Sequence, residues 1–270
     1  RLNNFASCQE SNNGGDRFMG PTLWPADLSI FARVNQTVVP GAVCEPFPRK
    51  DKQRWLLGSH IDMLHQSPYC MGIAYAPGNA SGNAFWTIDG NSNNLVYYDF
   101  VRDHGPGYDD HSDGRLRRYT DVRLKRVAGV PSHLVVDGAT GDLLIADTGT
   151  GRILRVDPST ARSAGTLRAT NEPIAEYLRY EGAEVAVLAE GLMQPSGIAI
   201  HAGRLFVSDY ATGDIIAYNL TTGAELQRVA TGATRIMGLA FDATGALWFV
   251  DGGKHEVVRI ETSGTLLSGI

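Results

Sequence analysis

Short apolar runs, each followed by an aspartate and a turn of small residues, recur four times along the chain. In the clearest copy, LLIADTGTGRILRVD (Leu143–Asp157), an apolar run ends at Asp147 and the turn Thr148–Gly151 follows. The next residues, Arg152–Val156, alternate between charged and apolar side chains, as in a strand with one buried and one solvated face. The pattern predicts two strands joined by a tight turn.

The other three copies of this hairpin have the same layout, and they are Phe85–Phe100, Leu205–Leu220 and Leu247–Glu261. Their aspartates, Asp89, Asp209 and Asp251, are expected to build the turns by bonding the hairpin amides, as Asp147 does. One more strand is predicted before each hairpin, in Met71–Pro77, Ser132–Gly138, Ser196–Ala202 and Met237–Ala243. A fourth strand is predicted after three of them, in VRLKRVAG (122–129), EVAVLAEG (184–191) and ELQRVATG (225–232).

Repeated four-stranded units with a period of roughly 40–45 residues are typical of β-propellers. The sequence therefore predicts an all-β fold, a propeller of five or six four-stranded blades in one domain overall. Residues 1–58 are expected to form an irregular N-terminal arm and first blade, and residues 59–270 the regular blades. The segment Glu172–Gly182 is predicted to be a short surface helix.

The stretch PSGIAI…GRLFVSDYATGDIIAYN (Pro195–Asn219) resembles the repeats of NHL propellers. This resemblance implies a propeller of NHL type, a fold that hosts many unrelated activities. The net charge of −5 and the isoelectric point of about 5.8 argue against a nucleic-acid partner, which requires a basic face. No apolar run is long enough to span a membrane.

Three cysteines, Cys8, Cys44 and Cys70, give an odd count. Cys8–Cys70 is the favoured disulfide, which ties the arm to the ring, and Cys8–Cys44 is the alternative. Asn-x-Ser/Thr triplets permit glycosylation at Asn35, Asn79 and Asn219. A secreted or cell-surface glycoprotein is expected, and a start at Arg1 fits a signal peptide that has been removed.

Histidines are the candidate metal ligands of this chain. His60, His65 and His133 lie on segments that lead into first strands of blades, which are innermost in a propeller. They are predicted to converge at the mouth of the central channel and to bind zinc, copper or iron. The sister blades carry glycine where His133 stands. In the alternative interpretation, His133 is a packed residue bonded to a backbone carbonyl.

A polar insertion, Arg102–Arg118, offers further donors in His104, His111, Asp109 and Asp113. The two histidines join the same transition metal if the insertion crosses the channel. The spacing Asp109-x-His111-x-Asp113-Gly also resembles the start of a calcium loop, which makes calcium a second candidate ion. A solvated loop without an ion is the third interpretation.

The motif Pro131-Ser132-His133 resembles the metal-binding segments of peptidylglycine amidating lyase-type propellers. The resemblance implies a metal in the channel and Tyr210 as a catalytic tyrosine. The predicted function is a secreted metal-binding propeller with a small molecule or peptide at the channel mouth. The alternatives are a metal-dependent lyase or hydrolase acting on a small extracellular substrate, and a non-catalytic propeller that binds a protein partner.

Overall fold

The computed structural model of the chain describes residues 4–11, 20–26, 60–105 and 110–260. Within these ranges the regular secondary structure is β-strand, apart from a single 3₁₀ turn at Thr148–Thr150. The strands form five sheets. The predicted fold class is confirmed, because the protein is an all-β propeller of five blades.

The first sheet pairs three short strands in chain order, β1 (Asn4–Ser7), β2 (Thr22–Pro25) and β3 (Asp62–Met63). The boundary predicted at residue 58 lies outside the described residues and stays a prediction. The other four sheets contain the four hairpins found in the sequence.

The second sheet contains six strands, which are β4 (Ile73–Tyr75), β5 (Ala84–Asp89), β6 (Asn94–Asp99), β7 (Arg115–Arg123), β11 (Arg162–Thr166) and β12 (Glu176–Glu181). Their order in the sheet is β11-β12-β7-β6-β5-β4. The fourth strand predicted at 122–129 was therefore placed too late in the chain. The helix predicted within Glu172–Gly182 was also wrong, because a strand there finds hydrogen-bonding partners in the sheet.

The remaining sheets follow a simpler order. The third is β13-β10-β9-β8, formed by β8 (Leu134–Val136), β9 (Leu143–Asp147), β10 (Arg152–Asp157) and β13 (Glu184–Glu190). The fourth is β14 (Pro195–His201), β15 (Arg204–Asp209), β16 (Asp214–Asn219) and β17 (Glu225–Ala230). The fifth is β18 (Ile236–Phe241), β19 (Leu247–Asp251) and β20 (Glu256–Ile260).

Three of the four repeated aspartates, Asp89, Asp209 and Asp251, accept amides of their own hairpin turns, as predicted, whereas Asp147 accepts the amide of Lys125, which lies outside its hairpin. Each is buried, and each accepts hydrogen bonds from backbone amides. The Asp89 carboxylate accepts from the Asn91 amide at 2.8 Å, and Asp147 accepts from Lys125 at 2.7 Å. Asp209 accepts three amides, of Met193, Gln194 and Ala211, and Asp251 accepts those of Gly253 and Lys254. These carboxylates are structural, since amide bonds satisfy them within the fold.

Two compact units divide the chain. Unit 1 comprises the described parts of Arg1–Asn91, Val96–Arg118 and Ala164–Arg179, and unit 2 those of Ser92–Leu95, Tyr119–Ser163 and Tyr180–Ile270. The core of unit 1 is formed by Leu23, Ile61, Leu64, Phe85, Val96, Tyr98, Phe100, Leu116 and Tyr177. Unit 2 contains two clusters, one around Leu144, Ile153 and Val207 and the other around Phe206, Ile236 and Phe249.

A disulfide joins Cys8 to Cys70 within unit 1, as the sequence favoured, with the two Cα atoms 5.6 Å apart. It closes a sequence separation of 62 residues. Cys44 lies outside the described residues. Among the residues that the structure describes, no helix has the length and apolar character needed to cross a membrane.

Candidate metal centre

Strand β3 and the residues after it supply the first of three parts of the candidate site. Asp62 lies in this strand opposite Leu23, and the apolar residues on either side of it, Ile61 and Leu64, are buried in the core of unit 1. The Ile61 amide donates to the Leu23 carbonyl over 2.9 Å. These anchors bury the Asp62 side chain and bring His65 to the end of the strand, where it is half-buried.

The segment between β6 and β7 supplies the second part of the site and lies beside β3. The His104 amide donates to the Ile61 carbonyl over 3.2 Å, and the Gly114 amide donates to the His111 carbonyl over 3.1 Å. A Cβ at Gly114 would lie 2.8 Å from a methyl carbon of Leu64, so only glycine allows so close an approach. The polar insertion is therefore packed against β3.

The residues that precede β12 supply the third part. The Asn171 side chain donates to the His65 carbonyl. The Ala175 amide donates to the Gly114 carbonyl over 2.9 Å. Glu172 lies between these two anchors, and its carboxylate is brought to His65 from far along the chain.

We call His65, His111 and Glu172 the first donor group. One ligand atom from each lies within 4.8 Å of the others. Nδ1 of His65 is 3.0 Å from Oε2 of Glu172, and the His65 and His111 rings meet edge to face with centroids 5.2 Å apart. Oε1 of Glu172 accepts the His65 amide at 2.7 Å and Nε2 of Gln66 at 3.1 Å. These two bonds fix the orientation of the carboxylate.

We call Asp62, His104 and Asp113 the second donor group, whose ligand atoms also lie within 4.8 Å of one another. Nε2 of His104 is 3.0 Å from Oδ1 of Asp113 and 3.9 Å from Oδ2 of Asp62. Oδ2 of Asp113 accepts from Nε of Arg102 at 3.1 Å. The second group thus contains two carboxylates and one imidazole.

Asp62 links the two groups, because its Oδ1 lies 3.6 Å from Nδ1 of His111. The Met63 amide donates to the same oxygen at 2.7 Å. Burial raises the pKa of the Asp62 carboxyl to about 6, although the neighbouring His111 and His104 rings and the Met63 amide oppose the rise. A positive charge beside this carboxylate would offset its desolvation.

The pKa of Glu172 is shifted in the opposite direction to that of Asp62. Burial opposes its ionisation, but the hydrogen bonds from the His65 ring and amide and from Gln66 outweigh burial and hold the pKa of Glu172 below its usual range. The first donor group therefore presents an ionised carboxylate at neutral pH.

A buried arginine supports the loop that carries His65. The Arg118 guanidinium donates to the Gln66 carbonyl, to Oδ2 of Asp89 and to the Tyr177 hydroxyl, each over 2.6 Å. These three bonds join β7, β5 and the segment after β3. Because the backbone of Gln66 is held in this way, the adjacent His65 is held as well.

Two further predicted ligands in the N-terminal half are Asp109 and His60. Asp109 lies outside the described residues, so the calcium loop stays a prediction. His60 is buried, and its ring meets Trp24 edge to face with centroids 6.2 Å apart. Neither donor group contains it.

Unit 2 contains His133 and Tyr210. The His133 amide donates to the Ser196 carbonyl over 3.0 Å, and Cε1 of its ring lies 3.7 Å from where a Cβ of Gly238 would stand. Burial lowers the pKa of His133. The Tyr210 amide donates to the Gln194 carbonyl over 2.8 Å. Neither residue belongs to a donor group, and the roles predicted for them stay predictions.

Sequence analysis did not assign two members of these groups. Glu172 was missed, because the segment around it was interpreted as a surface helix without chemistry. Asp62 stands between His60 and His65 in the sequence, and its acidic side chain inside an apolar run was the available signal. Contact between Glu172 and His65 has no such signal, since 107 residues separate them.

No family model matches this chain, and no curated protein matches it. Solved structures similar to it include a streptogramin B lyase, with 14% identity and a TM-score of 0.46, covering 72% of this chain and 52% of that one. A second is an auxiliary nutrient binding protein from Bacteroides thetaiotaomicron VPI-5482, with 9% identity and a TM-score of 0.56, covering 96% and 56%. A third is the β-propeller domain of Cps50 (Swd1) from Myceliophteria thermophila, with 10% identity and a TM-score of 0.48, covering 97% and 68%.

The chain spans little more than half the length of the first two of these structures. At such low identity a likeness shows no more than the fold. Membership of the NHL family stays a prediction.

Proposed function

We propose that this propeller binds a transition metal ion of the zinc class through His65, His111 and Glu172. The observation that carries the proposal is that one ligand atom from each of these residues lies within 4.8 Å of the other two. Two imidazoles and one carboxylate are the donor set of open catalytic zinc sites and of non-haem iron sites.

The surroundings of the first donor group support this proposal. The Glu172 carboxylate is oriented by the His65 amide and by Gln66, which is the kind of outer support that metal ligands have. The side chain of His65 is 21% exposed, so water can approach the group from solvent. Three protein ligands leave a coordination position for water or a substrate oxygen.

The partial exposure of His65 favours a catalytic role for an ion bound at the first donor group. A bound ion of this class supplies a Lewis acid that polarises a carbonyl or activates water. We therefore propose a metal-dependent lyase or hydrolase that acts on a small molecule or peptide. The Cys8–Cys70 disulfide supports an extracellular or cell-surface location, since such bonds persist in oxidising compartments.

Equilibrium dialysis against zinc, followed by elemental analysis, tests the metal site. The purified parent protein is compared with Glu172→Gln and with a matched control, Glu176→Gln, whose carboxylate belongs to neither donor group. We expect at least tenfold weaker zinc binding in Glu172→Gln and parent affinity in the control.

Equal zinc binding by the parent and Glu172→Gln would overturn the proposal. Loss of zinc in His133→Ala, with retention in Glu172→Gln, would instead place the ion where the sequence predicted it. A protein that binds no zinc, copper or iron would leave the non-catalytic, protein-binding propeller as the better interpretation.

A further inference from the structure

We infer that Asp62, His104 and Asp113 form a second cation site, with a preference for a harder divalent ion such as manganese. The inference that the two sites make one two-ion centre rests on the proposed function, whereas the second site by itself does not. Its evidence lies in the contacts of these three residues and in the position of Asp62.

Asp62 is the first observation. Its side chain is completely buried, and Oδ1 accepts the Met63 amide at 2.7 Å. Oδ2 is buried as well, and it accepts no hydrogen bond from the described residues. This oxygen faces Nε2 of His104 at 3.9 Å. Burying a carboxylate oxygen that accepts no hydrogen bond is costly, and a cation between these atoms would remove that cost.

The second observation is the way in which His104 and Asp113 are held. The His104 amide is bonded to the Ile61 carbonyl, so the ring is fixed beside the strand that carries Asp62. Arg102 engages only Oδ2 of Asp113, at 3.1 Å, and Oδ1 points to Nε2 of His104 at 3.0 Å. Three donor atoms from three residues therefore face one another from two segments of unit 1.

The donor types distinguish this site from the first. Carboxylate-rich sites suit manganese, magnesium and calcium, whereas imidazole suits zinc, copper, iron and nickel. Asp62, His104 and Asp113 offer two carboxylates and one imidazole, and the first donor group offers the reverse. We therefore expect manganese to bind at the second site while zinc occupies the first.

The two donor groups are adjacent, with Asp62 of the second beside His111 of the first. Oδ1 of Asp62 lies 3.6 Å from Nδ1 of His111, and the His111 ring meets that of His65. Two-metal sites hold both the attacking and the leaving oxygen of a displacement reaction. In a two-ion centre of this kind, the second cation lies beside the position at which a substrate would bind the first ion.

Manganese titration followed by electron paramagnetic resonance tests the second site, because the six-line signal of free manganese is lost on binding. The full chain is loaded with one equivalent of zinc and then titrated with manganese, as the parent, His104→Gln, Asp113→Asn and a control, Asp110→Asn. Asp110 is exposed in the same loop, and it belongs to neither donor group. Circular dichroism of each variant confirms that it is folded.

We expect the parent and Asp110→Asn to bind one manganese ion per chain, and His104→Gln and Asp113→Asn to bind it at least tenfold more weakly. Both of the latter variants should keep their zinc. Manganese binding unchanged in folded His104→Gln and Asp113→Asn, or absent from the parent, would overturn the inference.

Glu172→Gln separates this inference from the proposed function. Loss of zinc with retention of manganese in this variant supports two independent sites. If the parent binds manganese but no zinc, the proposed function fails and the second site stands. If the parent binds zinc but no manganese, the second site fails and the proposed function stands.

Discussion

The His65 imidazole and the Glu172 carboxylate lie 3.0 Å apart, although 107 residues separate them in the chain. Glu172 also accepts the backbone amide of His65, so the contact fixes both the ring and the loop that carries it. A carboxylate that holds a histidine in this way serves either as a fellow ligand of a metal or as the partner of a protonated ring.

Gly114→Ala is expected to disturb both donor groups. The added Cβ would lie 2.8 Å from a buried methyl carbon of Leu64 and 3.2 Å from the His111 carbonyl. Overpacking of this kind costs about 1–3 kcal/mol of unfolding free energy. We expect a lower melting temperature and weaker zinc binding. Gly138→Ala is the control, because its Cβ would meet no atom within 4 Å. Equal melting of both variants would contradict the packing described here.

Arg118→Met is expected to destabilise unit 1 strongly. The guanidinium is buried against Asp89, so its removal takes the positive charge away from a buried ion pair, at a cost of about 3–5 kcal/mol. The double variant Arg118→Met, Asp89→Asn should recover part of this loss, since it removes the negative charge as well. Urea unfolding measures both free energies.

Arg115→Met is the control for this network. Arg115 is exposed on the same strand as Arg118, and the variant should stay within about 0.5 kcal/mol of the parent. If Arg118→Met behaves like Arg115→Met, the network does not stabilise the fold.

Replacing both Cys8 and Cys70 by serine is expected to lower stability by about 4 kcal/mol. The disulfide closes a separation of 62 residues and restricts the unfolded chain by that amount in the chain-entropy model. Guanidinium unfolding of the parent and the double variant measures the difference. Cys44→Ser should match the parent. Peptide mapping without reduction that finds Cys44 in the pair would contradict the assignment.

The pH dependence of stability should contain a contribution from His133. Burial lowers its pKa in the folded protein, so below the ordinary imidazole value of about 6.5 the unfolded chain binds the proton more readily. The contribution of the neutral His133 ring to stability is therefore fully present above that pH and is lost as the pH falls below it. His133→Asn should flatten the decline in unfolding free energy between about pH 7 and pH 5.

His255→Asn provides the comparison for His133. His255 is exposed, and its backbone is left-handed with φ at 60°, a conformation that asparagine tolerates. This variant measures the effect of the exchange of histidine for asparagine at an exposed position. A decline in His133→Asn that is as steep as in the parent would show that burial does not lower the pKa of this imidazole in the folded state.

The sequence by itself determined the fold class and most of the strands. Each repeated hairpin is local, because its apolar run, its aspartate and its turn are contiguous in the chain. The carboxylates of Asp89, Asp209 and Asp251 each accept an amide two residues further along the chain, so this turn chemistry could be predicted from the sequence as well. Residue types also pointed to His65, His104 and His111 as candidate donors.

Tertiary structure decided which donors meet. Glu172 lies on a segment whose strand, β12, forms only because a sheet edge is available for pairing, and local propensity had favoured a helix. That pairing carries a carboxylate to His65 across 107 residues, a contact that neither spacing nor composition encodes. Likewise, Asp62 is buried because it lies on β3 opposite Leu23, and this position requires the pairing of β3 with β2. Local patterns specify elements, whereas a site built from three distant segments is specified by the packing of those elements.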